Sequence, residues 1–113
     1  MEIIRGTGPE GSTTILRLKG PLTLSTASFL QDKLPEIPAS DTVIDVSEVR
    51  YIDSTGLGAI LGHWSRSNRA GHKFALAGVN PRAEMLLKIA HVDTLFPIFK
   101  TAEEADDSFT GRA

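Results

Sequence analysis

The chain has no cysteine among its 113 residues, which excludes disulfides, thiol catalysis and cysteine-ligated metals. Histidine is scarce. His63, His72 and His91 stand 9 and 19 positions apart, so no pair has the i, i+4 spacing of a helical zinc site. No apolar run approaches the roughly 18 residues of a membrane helix, and no basic-then-apolar leader opens the sequence. Like charges never run to five in succession. The net charge of −2 and pI near 5.9 argue against an electrostatic grip on nucleic acid or anionic lipid. No Gly-x-x-x-x-Gly-Lys phosphate loop occurs. These absences lead us to expect a cytoplasmic protein without metal or cofactor, inserted in no membrane and binding no nucleic acid.

What is present suits one domain, residues 1–113, with 41% hydrophobic and 23% charged residues, near the globular averages. Ile3 and Ile4 precede a Gly/Pro turn, and Thr13 to Lys19 alternates like a half-buried strand, so the two predict a hairpin. Beyond Gly20-Pro21, the residues Ala27, Leu30 and Leu34 recur at helical spacing until Pro35 and Pro38. Thr42 to Val46 reads as a strand. Leu57, Ile60, Leu61 and Trp64 then mark a helix over 56–69, with His63, Arg66, Ser67 and Asn68 on its solvent face. Phe74 to Ala77 is a further buried strand. Asn80-Pro81 opens a helix with Met85, Leu86 and Ile89 at core spacing. Phe96 to Phe99 is a weak strand, with Pro97 suggesting a sheet edge, and Thr101 starts a last helix with Glu103 and Glu104 in its first turn. The residues from about 107 to 113 have little to bury and are expected to form a loose tail. The alternation predicts an α/β fold whose parallel strands are joined by crossover helices, made mixed by the N-terminal hairpin.

The chemistry concentrates in Tyr-Ile-Asp-Ser-Thr-Gly-Leu-Gly, residues 51–58, at the carboxyl end of the 42–46 strand, where such sheets place their sites. Three readings apply. Ser54 or Thr55 can cap the following helix, with Asp53 near its positive end. Ser54 can be a nucleophile, although a Gly-x-Ser-x-Gly elbow needs glycine where Ile52 stands. Ser54 can also be a substrate. A phosphate at a helix start meets free amides, and its charge of about −1.5 to −2 beside Asp53 would repel a partner that had buried the loop. Gly58 and Gly62, four apart, leave a stripe bare of side chains, either for close packing on the sheet or as a flat approach for a partner.

The stretch VIDVSEVRYIDSTGLGAIL, residues 43–61, resembles the signature of STAS-domain anti-sigma factor antagonists. Asp45, Asp53, Ser54, Thr55, Gly56, Leu57 and Gly58 fit that pattern, and the likeness runs in register over about residues 13–100, through Gly71, the FALAG strand and Asn80-Pro81 to Leu95-Phe96. The resemblance implies a STAS-like mixed β-sheet with about four helices mainly on one side. It also implies action by binding. The unphosphorylated form would engage an anti-sigma factor that is also a serine kinase of the histidine-kinase-like ATPase type, freeing the sigma factor. Phosphorylation at Ser54 would end the complex, and a PP2C-type phosphatase would restore it. Asp53 would orient Ser54, and Thr55 would be a neighbouring hydroxyl. Asp53, Thr55, Gly56, Leu57, Gly58, Gly62 and Thr23 would form the partner surface. Where many antagonists carry Gly-Glu-Leu-Asp after the second strand, this chain has Gly20-Pro21-Leu22-Thr23, two acids fewer. The alternatives are a STAS subunit of a larger assembly, either a signalling scaffold or an accessory of a lipid-transport ABC system, and more remotely a Ser hydrolase.

Overall fold

The computed structural model of the chain describes residues 1–111. Five strands form one sheet in the order β1-β2-β3-β4-β5: β1 Glu2–Thr7, β2 Thr13–Lys19, β3 Asp41–Glu48, β4 Phe74–Ala77 and β5 Ile98–Phe99. β1 pairs antiparallel with β2, and every later pairing is parallel. Each parallel crossover carries a helix: α1 Leu24–Lys33, α2 Ser54–Arg69 and α3 Pro81–Ile89. A fourth helix, α4 Ala102–Thr110, ends the described chain. The expected mixed α/β architecture is what the chain adopts.

Register explains the layering. Leu16, Ile44 and Leu76 lie side by side across β2, β3 and β4, and one residue earlier so do Ile15, Val43 and Ala75. Successive residues face opposite sides of a sheet. The first row belongs to the main core, with Leu18, Val46, Leu57, Ile60 and Leu87. The second row packs with Ala77, Ala102 and Ala105 in a thinner layer under α4. The central strands are therefore covered on both faces, and small alanines let α4 lie close.

Pro35 ends α1, since a proline lacks the N–H a helix continues with, and the chain tightens into a 3-10 turn at Leu34–Glu36. Pro97 precedes the two-residue edge strand β5, and the Pro97 carbonyl accepts from the Leu76 amide at 3.1 Å.

Three expectations change. α3 buries Ala83 and Leu87, whereas Met85 and Ile89 are 62% and 68% exposed. On α2, His63 and Ser67 are buried rather than solvent-facing. The chain from 107 onward is not loose throughout: α4 continues to Thr110, and Phe109 packs on the thinner core. Residues 112 and 113 of the expected tail lie outside the described residues.

Candidate functional site

The parallel strands all deliver their chain to one edge of the sheet, so the starts of α1, α2 and α3 gather there. Two segments at that edge are stitched together. Leu22 forms an isolated parallel bridge with Ile52: the Leu22 amide donates to the Tyr51 carbonyl at 2.9 Å, and the Asp53 amide donates to the Leu22 carbonyl at 3.2 Å. The approach is so close that a Cβ on Gly56 would fall on the Leu22 carbonyl oxygen and 2.7 Å from its Cγ.

Asp53, not Ser54 or Thr55, caps α2. Its backbone is extended, and its Oδ1 accepts from the Gly56 amide at 2.9 Å. Its Oδ2 accepts from the Leu24 amide at 3.0 Å, at the first position of α1. One carboxylate thus serves two helix starts, and the favourable end of each helix dipole holds it ionised. The Gly56 N–H is the main reason that the Asp53 carboxyl lies below the ordinary value of 3.8, with the Leu24 and Thr55 amides adding to it against some desolvation.

Ser54 occupies the first position of α2 and is exposed, and its hydroxyl takes no hydrogen-bond partner among the described residues. Thr55 is exposed beside it. Gly56 and Leu57, expected on the partner surface, instead face the core, Leu57 at 4% exposure. Gly58 is exposed, and a Cβ there would meet nothing within 4 Å among the described residues. At Gly62 only the Arg66 guanidinium comes near among the described residues, at 3.9 Å. The two glycines do not pack against the sheet; their stripe is open surface. Thr23 caps α1, and its amide donates to Thr26 Oγ1 at 3.0 Å.

A match to the STAS domain family model spans residues 6–105. The chain belongs to the STAS domain family. It is 29% identical over 89 residues to the anti-sigma F factor antagonist of Paenibacillus polymyxa, covering 75% of this chain and 76% of that one. In fold it is similar to an anti-sigma factor antagonist from Mycobacterium paratuberculosis (TM-score 0.82, 18% identity, 96% and 95% of the two chains). It is also similar to Bacillus SpoIIAA in its phosphorylated form (TM-score 0.71, 17% identity, 95% and 98%).

Within this STAS domain two residues at the same edge escaped the sequence reading. Leu24 is 74% exposed beside the Asp53 carboxylate, and Tyr51 is 46% exposed with the Arg82 guanidinium 5.7 Å from its ring centre. The pairing of Thr23 with Thr26 was the available signal for Leu24, because it sets the start of α1 one residue before it. Asn80 completes the edge. Its Oδ1 caps α3 through the Ala83 amide at 2.8 Å, and its Nδ2 donates to the Arg50 carbonyl at 3.2 Å.

The histidines that a serine nucleophile would need lie elsewhere. His63 is nine residues along α2 from Ser54, about 14 Å at 1.5 Å per residue. His72 precedes β4 and His91 follows α3, both at the opposite edge of the sheet. Among the described residues no helix is long and apolar enough to cross a membrane.

Proposed function

We propose that this STAS domain is an anti-sigma factor antagonist whose association is switched by phosphorylation at Ser54. The observation that carries this reading is a division of labour at the start of α2. Asp53 makes the cap, so the adjacent Ser54 hydroxyl is exposed and structurally idle. A phosphate can be attached there without removing any bond that holds the fold. It would sit at the positive end of a helix, where an anion is tolerated, and beside an ionised carboxylate, where it deepens a negative patch.

The unphosphorylated edge offers a partner the apolar side chains of Leu24 and Tyr51 around the Asp53–Ser54 step, next to the open backbone at Gly58. The partner would be an anti-sigma factor with serine-kinase activity of the histidine-kinase-like ATPase type, and a PP2C-type phosphatase would reverse the modification. Adding about −1.5 to −2 charges at the centre of a desolvated contact weakens it about a hundredfold if the penalty reaches about 3 kcal/mol.

The test is phosphorylation of the purified chain by its cognate kinase with ATP, followed by mass spectrometry. One phosphate is expected, located at Ser54 and absent in Ser54→Ala. Phosphate that persists in that variant, or that maps to Thr55, overturns the assignment. Partner binding that is lost in Ser54→Asp at unchanged Tm supports the switch. Tight binding by an unphosphorylatable chain, undiminished in Ser54→Asp, would instead indicate a constitutive subunit of a larger assembly.

A further inference from the structure

At the edge of the sheet opposite Ser54, a cleft of about 380 Å³ opens between the 34–40 segment and the C-terminal half of α2. Leu34, Ile37 and Pro38 give it an apolar wall, and His63, Arg66 and Ser67 face it from the helix. His63 is unusual. It is only 7% exposed and lies near the Phe74 ring, with centroids 6.1 Å apart, yet neither Nδ1 nor Nε2 has a hydrogen-bond partner among the described residues. A leucine at this helix position would pack without any polar penalty, whereas a buried imidazole without partners is costly to keep. The side chain lines the cleft with both nitrogens just beneath its surface, so a rotation of the ring would present one of them to a guest.

Charge selects the guest. Among the described residues no aspartate or glutamate lines the cleft, although Asp41 lies 3.5 Å from the lining His72, and Arg66 has no carboxylate within 4.0 Å. Its guanidinium lies back along the helix over Gly62. A free guanidinium beside a neutral imidazole donor matches a carboxylate. The apolar wall matches a hydrophobic body, and the volume lies in the range of small-molecule sites.

We propose that this cleft binds a small monocarboxylate with an apolar body, its carboxylate held by Arg66 and the His63 ring and its body against Leu34, Ile37 and Pro38. The site is separate from the Ser54 edge and does not rest on the function proposed for that edge.

The test uses 2-naphthoate titrated into the ¹⁵N-labelled chain, followed through backbone amides and the His63 ring nitrogens. Saturable shifts are expected at His63 and in segments 34–40 and 63–70, with a Kd of about 1 mM or tighter. Arg66→Ala, at an exposed position, should keep the wild-type amide spectrum elsewhere and weaken 2-naphthoate by about tenfold or more. The neutral 2-naphthamide should bind the wild type and Arg66→Ala alike, and more weakly than 2-naphthoate binds the wild type. The proposal is overturned by the absence of saturable shifts, by shifts confined to other surfaces, by unchanged 2-naphthoate affinity in Arg66→Ala, or by wild-type affinity for the amide equal to that for the acid.

Discussion

The Asp53 carboxylate accepts the Leu24 backbone amide at 3.0 Å across 29 residues of sequence, while its other oxygen caps its own helix at Gly56. The same residue therefore fixes where α2 begins and how α1 sits against it. Together with the Leu22–Ile52 bridge it makes the Ser54 edge rigid through groups that leave the Ser54 hydroxyl alone.

Asp53→Asn keeps the size of the side chain and one good capping oxygen but replaces the second acceptor with an amide NH₂. That group cannot accept from the Leu24 amide, which lies at the surface and can turn to water. Thermal unfolding should show a lower Tm for Asp53→Asn and a lower one still for Asp53→Ala, which loses both bonds. The acid dependence follows from the lowered carboxyl. Its stabilising contribution is complete above 3.8 and is lost as pH falls through the lower folded value, so the deficit of Asp53→Asn should shrink in strong acid. Equal Tm values for all three proteins at neutral pH would refute the double cap.

Gly56 and Gly58 are two residues apart and should respond in opposite ways to alanine. At Gly56 the new methyl meets the Leu22 carbonyl, a backbone group held by its own bridge, and the cost should be about 3 kcal/mol. At Gly58 the methyl enters open space in a helix interior, so the substitution should stabilise by about 0.5–1 kcal/mol. Urea unfolding of the two variants measures both. If the open face at Gly58 is where the partner approaches, Gly58→Ala should also weaken partner binding while raising stability, a combination that a purely structural glycine would not give.

His63 should make the protein acid-sensitive in a defined window. Burial, aided by the Arg66 charge, lowers its pKa from 6.5 to about 4. The unfolded chain takes up this proton near pH 6.5 and the folded chain only near 4, so stability is full above about 6.5 and falls with added acid until about 4. The loss should be roughly 2 kcal/mol after allowance for screening through the cleft. His63→Phe keeps a ring of similar shape and removes the proton. Its unfolding free energy should change less between pH 7 and pH 4.5 than that of the wild type, and parallel pH profiles would disprove the assignment.

The succession of strands and helices along the chain was legible because it rests on local signals: alternation in Thr13 to Lys19, Pro35 after α1, Asn80-Pro81 before α3. The faces of α2 and α3 were not. The buried stripe of α2 includes Gly56, Ala59, His63 and Ser67, small or polar residues that hydropathy does not count. The bulkier Leu61 and Trp64 drew the reading toward a neighbouring face, and both are only partly buried. At the site, the motif showed which residues would gather but not which of three polar neighbours makes the cap. The cap bond itself is local, from the Gly56 amide, but the second bond that ties Asp53 to α1 comes from the Leu24 amide, 29 positions away, which no local pattern reveals.

α3 offers the sharpest check of that lesson. Met85, Leu86 and Ile89 have helical spacing, but so do Ala83, Leu86 and Leu87, and the fold uses the second set, with Ala83 and Leu87 buried and Leu86 half-buried. Alanine's small size hides its face from a hydrophobicity count. Leu87→Ala should therefore cost about 2–4 kcal/mol, as expected for a truncated core side chain. Met85→Gln and Ile89→Lys should each fall within about 0.5 kcal/mol of the wild type. The lysine even gains from its place at the carboxyl end of the helix, where a cation is favoured. Urea unfolding at neutral pH distinguishes the two faces, and a loss of about 2 kcal/mol at Ile89→Lys would mean that α3 packs through the face that the sequence first suggests.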